Sequence, residues 1–185
     1  MIEKELKVIL SEEEYQNIEK LFEWDSRFYQ TNYYYKQKDD IFDCNGITIR
    51  IREIYNKYSL QVKVPIEIRG SLHIKKEYEL AVSGISDVIE GPTLVKLTNL
   101  EFHDAHLIGS LTTERRICNK YLGVEICLDK SSYLNKNDYE LEVEYIQDYP
   151  ESIVKMLSEA GINFRDNVVG KFSRFIDQYI QQEKK

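Results

Sequence analysis

Alternating apolar and polar residues recur through most of the chain, which is the pattern of β-strands whose two faces have different surroundings. In the opening segment IEKELKVIL, the charged residues Glu3, Glu5 and Lys7 occupy every second position. Short breaks such as DCNGI at 43–47 and YNKY at 55–58 are typical of hairpin turns, so antiparallel pairing is favoured. The alternation predicts eight strands, at approximately 1–10, 24–36, 46–56, 58–66, 72–82, 106–118, 121–130 and 138–147.

Helical signals occur at a few places between these strands. Ser11 and Glu14 form a capping box at the start of SEEEYQNIEKLF, and Pro150 and Gly161 bracket PESIVKMLSEAG. Further helices are predicted for GKFSRFIDQYIQQ near the carboxyl end and for the segment 92–99. With 185 residues, 42% of them hydrophobic, the chain fits one α+β domain over residues 1–185, an antiparallel sheet flanked by helices.

Composition excludes several classes of function. The net charge of -7 argues against nonspecific binding to nucleic acid or to an anionic membrane, because both need a cationic surface. Cys44, Cys118 and Cys127 lack metal-type spacing and are interpreted as free buried thiols. The P-loop motif is absent, and so is a leader or an apolar run long enough to span a membrane. A cytoplasmic protein without membrane or nucleic-acid partners is expected.

Like charges share one face on several of the predicted strands. A single E-x-E or R-x-R pair is usually a solvated sheet face, but repetition on many strands places like charges close together at an energetic cost. Such repulsion favours a bound counter-charge. If these faces line the inside of a closed eight-stranded barrel, the interior is a polar tunnel. The residues in question are Arg50 with Arg52, Lys63 with Gln61, His73 with Lys75, Glu77 and Glu79, Asp129 with Glu125 and Cys127, and Glu140 with Glu142 and Glu144.

These motifs and their order resemble the CYTH proteins, the triphosphate tunnel metalloenzymes. Glu3-x-Glu5-x-Lys7 is similar to the family's E-x-E-x-K signature, and the resemblance extends over nearly the whole chain. Lys36 departs from it, because relatives often place an acid there. Arg115 and Arg116 point to opposite faces of a strand, and the motif favours Arg115. The remaining matches are Arg50, Arg52, Lys63, Lys75, Glu77, Glu79, Asp129, Glu140, Glu142 and Lys171.

The resemblance implies a closed, eight-stranded antiparallel β-barrel that binds a linear triphosphate together with Mg²⁺ or Mn²⁺, as a pair of ions. Glu3, Glu5 and Lys7 are the implied catalytic centre. Glu3 and Glu5, with Glu140 or Glu142, would hold one metal, and Asp129 with Glu77 or Glu79 a second. The expected phosphate ligands are Lys7, Arg50, Arg52, Lys63, Lys75 and Arg115, with Lys171 closing one mouth of the tunnel. These acids and bases balance, so metal ions would offset the charge of the substrate.

Several alternatives remain open at this point. The substrate could be inorganic tripolyphosphate, thiamine triphosphate or a nucleoside triphosphate, and a tyrosine ring could stack on an organic group. An adenylate cyclase of the same fold would use the 3′-hydroxyl of ATP in place of water, and a noncatalytic module would bind polyphosphate only. His103 and His106 have a spacing that two metal ligands on a helix could use, although a third ligand is lacking. Both a monomer and a homodimer are compatible with the sequence.

Overall fold

The computed structural model describes residues 1–37, 46–164 and 168–184. Within these residues the strands and helices alternate much as the sequence predicts. The strands are β1 (Ile2–Leu10), β2 (Ser26–Gln37), β3 (Thr48–Ile54), β4 (Lys57–Arg69), β5 (Leu72–Val82), β6 (Val88–Ile89), β7 (Ala105–Tyr121), β8 (Val124–Tyr133) and β9 (Lys136–Tyr145). The helices are α1 (Glu12–Leu21), α2 (Gly91–Thr98), α3 (Glu151–Glu159) and α4 (Lys171–Glu183).

Eight of the strands form a closed antiparallel barrel, which confirms the predicted architecture. Their order is β2-β3-β4-β5-β1-β9-β8-β7, and pairing between β7 and β2 closes the ring. Among the described strands, the short strand β6 pairs with β7 alone, at Val88 and Ile89, and lies outside the eight-stranded ring. It was not predicted, because two residues are too few to show an alternation.

The apolar faces of the strands point outward and are covered by helices. Leu6 and Val8 of β1 are buried in one cluster with Ile18 of α1 and Leu157 of α3. On another side, α2 places Leu94 against a second cluster built on β3 and β4. Because successive side chains of a strand alternate between faces, the charged residues between these apolar ones must face the barrel interior.

Helix α4 packs differently from the other three. Phe172 and Phe175 contact the ring of Tyr34, with ring centroids 4.9 and 5.0 Å apart. Tyr34 shares the inner face of β2 with Gln30, and its cluster includes Leu111 of β7. The first turns of α4 therefore lie against the inner side of the barrel wall.

Local signals in the sequence agree with the observed ends of elements. The Ser11 side chain accepts a hydrogen bond from the Glu14 backbone N–H, and the Glu14 carboxylate accepts one from the Ser11 backbone, completing the capping box. Tyr55 and Asn56 adopt positive φ angles of 51° and 58° in the two-residue turn between β3 and β4. Most of the turn predicted at 43–47, and Cys44 within it, lies outside the described residues. None of the helices described here has the length and apolar character needed to cross a membrane.

Candidate active site

The barrel encloses a charged cavity of about 280 Å³. Polar and charged side chains from the inner faces of the strands make up most of its wall. Residues near the start of α4, among them Lys171 and Phe172, complete it on one side. Of the residues predicted for the site, those that line the cavity are Glu3, Glu5, Lys7, Arg50, Arg52, Lys63, Lys75, Glu77, Glu79, Arg115, Glu142 and Lys171.

Strand register places three carboxylates together on one part of this wall. In the pairing of β1 with β9, Glu5 lies directly opposite Glu144, and Lys7 lies opposite Glu142. Ligand atoms of Glu3, Glu5 and Glu144 all fall within 4.8 Å of one another. Glu144 was noted on the charged face but was not predicted as a metal ligand, and the predicted ligands Glu140 and Glu142 are not in this group.

The charge around these carboxylates fits a divalent cation. Burial, together with Glu3, raises the pKa of Glu144 to about 8, and no Lys or Arg in the described chain forms a salt bridge with it. Burial also raises the pKa of Glu3 despite its contact with Lys63. Carboxylate oxygens are the ligands that Mg²⁺ and Mn²⁺ prefer, and those of Glu144 have no salt bridge within the described residues to compete with the ion. Glu144 further belongs to a second possible ligand group, with Glu125 and Cys127.

The other predicted carboxylates of β8 and β9 already have protein cations as partners. The ammonium of Lys171 lies 2.8 Å from Asp129, 3.1 Å from Glu140 and 2.8 Å from Glu142. Arg115 donates two hydrogen bonds to Asp129, at 2.8 and 2.7 Å. Asp129 and Glu140 are fully buried behind these pairs and do not reach the cavity surface.

Two lysines contact Glu5 on the part of the cavity wall that β1 and β5 form. Lys7 lies 2.8 Å from the Glu5 carboxylate and Lys75 lies 3.3 Å from the same oxygen. Burial alone would raise the pKa of Glu5, but Lys7 and Lys75 outweigh it and hold the pKa well below its ordinary value. Glu5 is therefore ionised at neutral pH and can contribute an anionic ligand.

Lys63 joins β4 to the carboxylates of β1 and β5. Its ammonium lies 2.8 Å from Glu3 and also contacts Glu77, directly opposite it on β5. Glu79 lies one step further along β5, where its carboxylate accepts a hydrogen bond from Gln61 at 3.1 Å. Glu77 is thus paired with Lys63, and Glu79 stands at an exposed edge of the cavity.

The opposite wall carries two arginines that lack a carboxylate. Arg50 donates to the Gln61 side chain at 2.8 Å and Arg52 to the Asn32 side chain at 3.0 Å. Neither forms a salt bridge within the described residues. Burial, and then Arg50 and Arg115, lower the pKa of Arg52 to about 9. Two neighbouring guanidinium groups without an anion are suited to bind phosphate oxygens.

Comparison with known proteins agrees with this arrangement. The family profile described as CYTH domain matches residues 1–162. The chain belongs to the CYTH family. The curated relative "Putative triphosphatase YjbK" of Bacillus subtilis (strain 168) is 32% identical over 189 residues, which cover 96% of this chain and 95% of the relative.

Solved structures share the CYTH fold. A "putative adenylate cyclase" from Bacillus halodurans is 23% identical with a TM-score of 0.69, over 92% of this chain and 95% of that one. The "putative adenylyl cyclase" HpAC1 from Hippeastrum, said to have a dominant triphosphatase activity, is 18% identical with a TM-score of 0.73, over 95% of both chains. At these identities the likeness shows the fold alone.

One part of this CYTH protein lies beyond the matched region. Helix α4 begins at Lys171, after the end of the family match at residue 162. Besides Lys171 it supplies Arg174, which donates to Asp138 at 2.8 Å and forms a salt bridge with Glu140. Arg174 was not predicted. The available signal was its spacing, since residues three apart share a helix face.

The remaining candidates lie apart from the cavity. Arg116 points away from the barrel interior, where it donates to Tyr15 at 3.0 Å and pairs with Glu114. Lys36 is buried and lies 5.5 Å from the centre of the Phe172 ring. His103 precedes β7 and His106 lies in it, so the two do not form a pair of helical metal ligands.

Proposed function

We propose that this CYTH protein is a divalent-metal-dependent triphosphatase, a hydrolase of linear triphosphates bound inside the barrel. The observation that carries the proposal is that one cavity holds three clustered carboxylates, of which Glu144 has no salt bridge within the described residues, and, on another wall, two arginines without a carboxylate partner. Glu3, Glu5 and Glu144 form this acidic group, and the arginines are Arg50 and Arg52. A metal ion and a polyphosphate would satisfy both groups together.

The metal would be held by Glu3, Glu5 and Glu144. Such an ion, when bound, neutralises phosphate charge and favours attack at phosphorus. We assign Glu140, Glu142 and Asp129 to structural ion pairs with Lys171 and Arg115, because these cations contact them and none of the three belongs to a possible ligand group of the described residues. The second ion implied by the family resemblance stays a prediction, with Glu77 and Glu79 as further carboxylates on the wall.

The basic residues would bind and orient the polyphosphate. Arg50 and Arg52 present planar guanidinium groups that match pairs of phosphate oxygens. Lys63 and Lys75 stand between these arginines and the acidic group, where each can exchange part of its contact with Glu3 or Glu5 for a phosphate oxygen. The charge that develops during phosphoryl transfer would thereby be stabilised from several sides.

The substrate class follows from what the wall offers. Charged groups dominate the cavity, and Tyr34 and Phe172, two of its aromatic residues, already pack against each other. The wall thus recognises phosphate more than an organic group, so inorganic tripolyphosphate or a small organic triphosphate is proposed. Hydrolysis is preferred to cyclisation, because YjbK is named a triphosphatase and HpAC1 is described as having dominant triphosphatase activity.

Product analysis tests the proposal. Tripolyphosphate, thiamine triphosphate and ATP are incubated with the protein in Mg²⁺, in Mn²⁺ or in excess chelator, and orthophosphate, pyrophosphate and cyclic AMP are measured. Orthophosphate release that requires the metal supports the proposal. Cyclic AMP with pyrophosphate as the main products from ATP would indicate a cyclase. Tight binding of tripolyphosphate with no turnover would indicate a noncatalytic module.

A further inference from the structure

His73 is a buried histidine on the cavity wall that the proposed mechanism does not use. It lies on β5, lines the cavity, and is only 3% exposed. Neither ring nitrogen has a hydrogen-bond partner of normal geometry among the described residues, although the Val168 backbone is close enough to act on the pKa of the ring. Buried polar atoms are nearly always paired, so an imidazole with two unpaired nitrogens at a binding cavity points to a missing partner.

The position of His73 places it among the groups that would hold the polyphosphate. It lies directly opposite Glu5 in the pairing of β5 with β1, and Lys75 follows two residues later on the same face. Burial lowers the pKa of His73 most, and Lys7 and Lys75 lower it further, to about 4, while Glu5 and the Val168 backbone act in the opposite direction. Glu5 forms salt bridges with both lysines and makes no hydrogen bond with His73.

The chemistry of a neutral imidazole narrows what that partner can be. One ring nitrogen carries a hydrogen to donate and the other a lone pair. Mg²⁺ and Mn²⁺ prefer oxygen ligands, and Glu3, Glu5 and Glu144 can already supply carboxylate oxygens. An N–H flanked by two ammonium groups instead suits an anionic oxygen acceptor.

We propose that His73 is a substrate-binding residue that donates a ring N–H to a phosphate oxygen of the bound triphosphate, between Lys7 and Lys75. This inference rests on the proposed function, since it takes a triphosphate as the occupant of the cavity. It also explains why a histidine stands where an aliphatic residue would be buried at no polar cost.

Steady-state kinetics with tripolyphosphate test the role in variants. His73→Leu removes the donor, His73→Gln keeps an N–H donor, and the exposed residue His103 provides the control His103→Gln. Losing a hydrogen bond to a charged group raises KM about 10- to 100-fold in His73→Leu, with kcat little changed. His73→Gln should recover much of that loss, and the control should match the wild type. Equal KM values in His73→Leu and the wild type would overturn the proposal.

Histidine NMR on the unmutated protein tests the same contact without a folding risk. The chain has only three histidines, and the spectrum of His73→Gln identifies the ring ¹⁵N signals of His73. Saturation with tripolyphosphate and Mg²⁺ should shift those signals strongly and leave His103 nearly unchanged. Unshifted His73 signals in the saturated protein would refute the contact.

The two experiments separate this inference from the proposed function. If the wild type binds tripolyphosphate without hydrolysing it, the triphosphatase proposal is wrong, and the ring signals of His73 still decide its role. If the wild type hydrolyses tripolyphosphate while His73→Leu keeps its KM, the role of His73 is wrong and the triphosphatase proposal stands.

Discussion

Replacing Lys171 by methionine should destabilise the barrel strongly, although this residue lies outside the family match and near the end of the chain. Its ammonium stands 2.8 Å from Asp129, 3.1 Å from Glu140 and 2.8 Å from Glu142. These three carboxylates are at most 7% exposed. Methionine keeps most of the side-chain volume, so the change removes chiefly the charge.

The expected magnitude follows from the partners that remain. Removing one partner of a buried ion pair costs about 3–5 kcal/mol, because it leaves an uncompensated charge. Here Arg115 stays on Asp129 and Glu142, and Arg174 stays on Glu140, which favours the lower end of that range. A loss of about 3 kcal/mol in a chain of this length lowers Tm by roughly 6–12 °C.

The pH dependence of this loss has a definite sign. Burial would raise the pKa of Glu142, but Lys171, Lys7 and Arg115 outweigh it and hold the pKa well below the ordinary value of 4.5. A carboxyl whose pKa is lowered by folding contributes stability above its ordinary pKa and loses it as pH falls through the folded value. The gap between wild type and Lys171→Met should therefore be full above about pH 4.5 and narrow in more acidic solution.

Urea unfolding at pH 7 and in acid measures this prediction. Lys184→Met is the matched control, because Lys184 is an exposed residue at the end of the same helix. Adding Glu140→Gln to Lys171→Met should restore part of the stability, since it removes one of the three negative charges that the Lys171 ammonium had balanced. If Lys171→Met unfolds at the same urea concentration as Lys184→Met at pH 7, the reasoning about this ion-pair cluster is refuted.

Three further predictions concern the cavity. Glu144→Gln should abolish the stabilisation by Mg²⁺ that is measured in thermal unfolding. In chelator, the wild type should lose stability as pH rises from 4.5 through about 8, because folding raises the pKa of Glu144, and Glu144→Gln should not show this loss. Arg52→Met should weaken tripolyphosphate binding, measured by calorimetry, by about 10- to 100-fold. It should not destabilise the ligand-free protein, because Arg52 forms no salt bridge with a carboxylate in the described residues. Arg116→Met should keep full turnover, because Arg116 points away from the cavity, whereas Arg115→Met should lose both stability and turnover.

The strands and their charged faces could be predicted because alternation is a local property of the sequence. The inner face followed from the repulsion that Arg50 with Arg52, or Glu140 with Glu142, would suffer in register. Which carboxylate meets Glu5 could not be predicted, because Glu140, Glu142 and Glu144 are equivalent in spacing. Only the register of β1 against β9 sets Glu144 opposite Glu5.

Helix α4 shows a second limit of the sequence. Its existence was predicted from apolar spacing, and Lys171 was expected near one mouth of the tunnel. The spacing does not say against which wall the helix packs, since that depends on contacts with residues far away in sequence, such as Tyr34. The pairing of Arg174 with Asp138 and Glu140 was missed for this reason. His73 was placed on the charged face, but it drew no assignment because it carries no fixed charge.

Anomalous diffraction from crystals grown with Mn²⁺ and a non-hydrolysable tripolyphosphate analogue tests the central claim most directly. We expect a manganese peak inside the barrel, ligated by Glu3, Glu5 and Glu144, with phosphate groups against Arg50 and Arg52. Manganese and phosphate bound only on the outer surface, in crystals that contain both at saturating concentration, would contradict it.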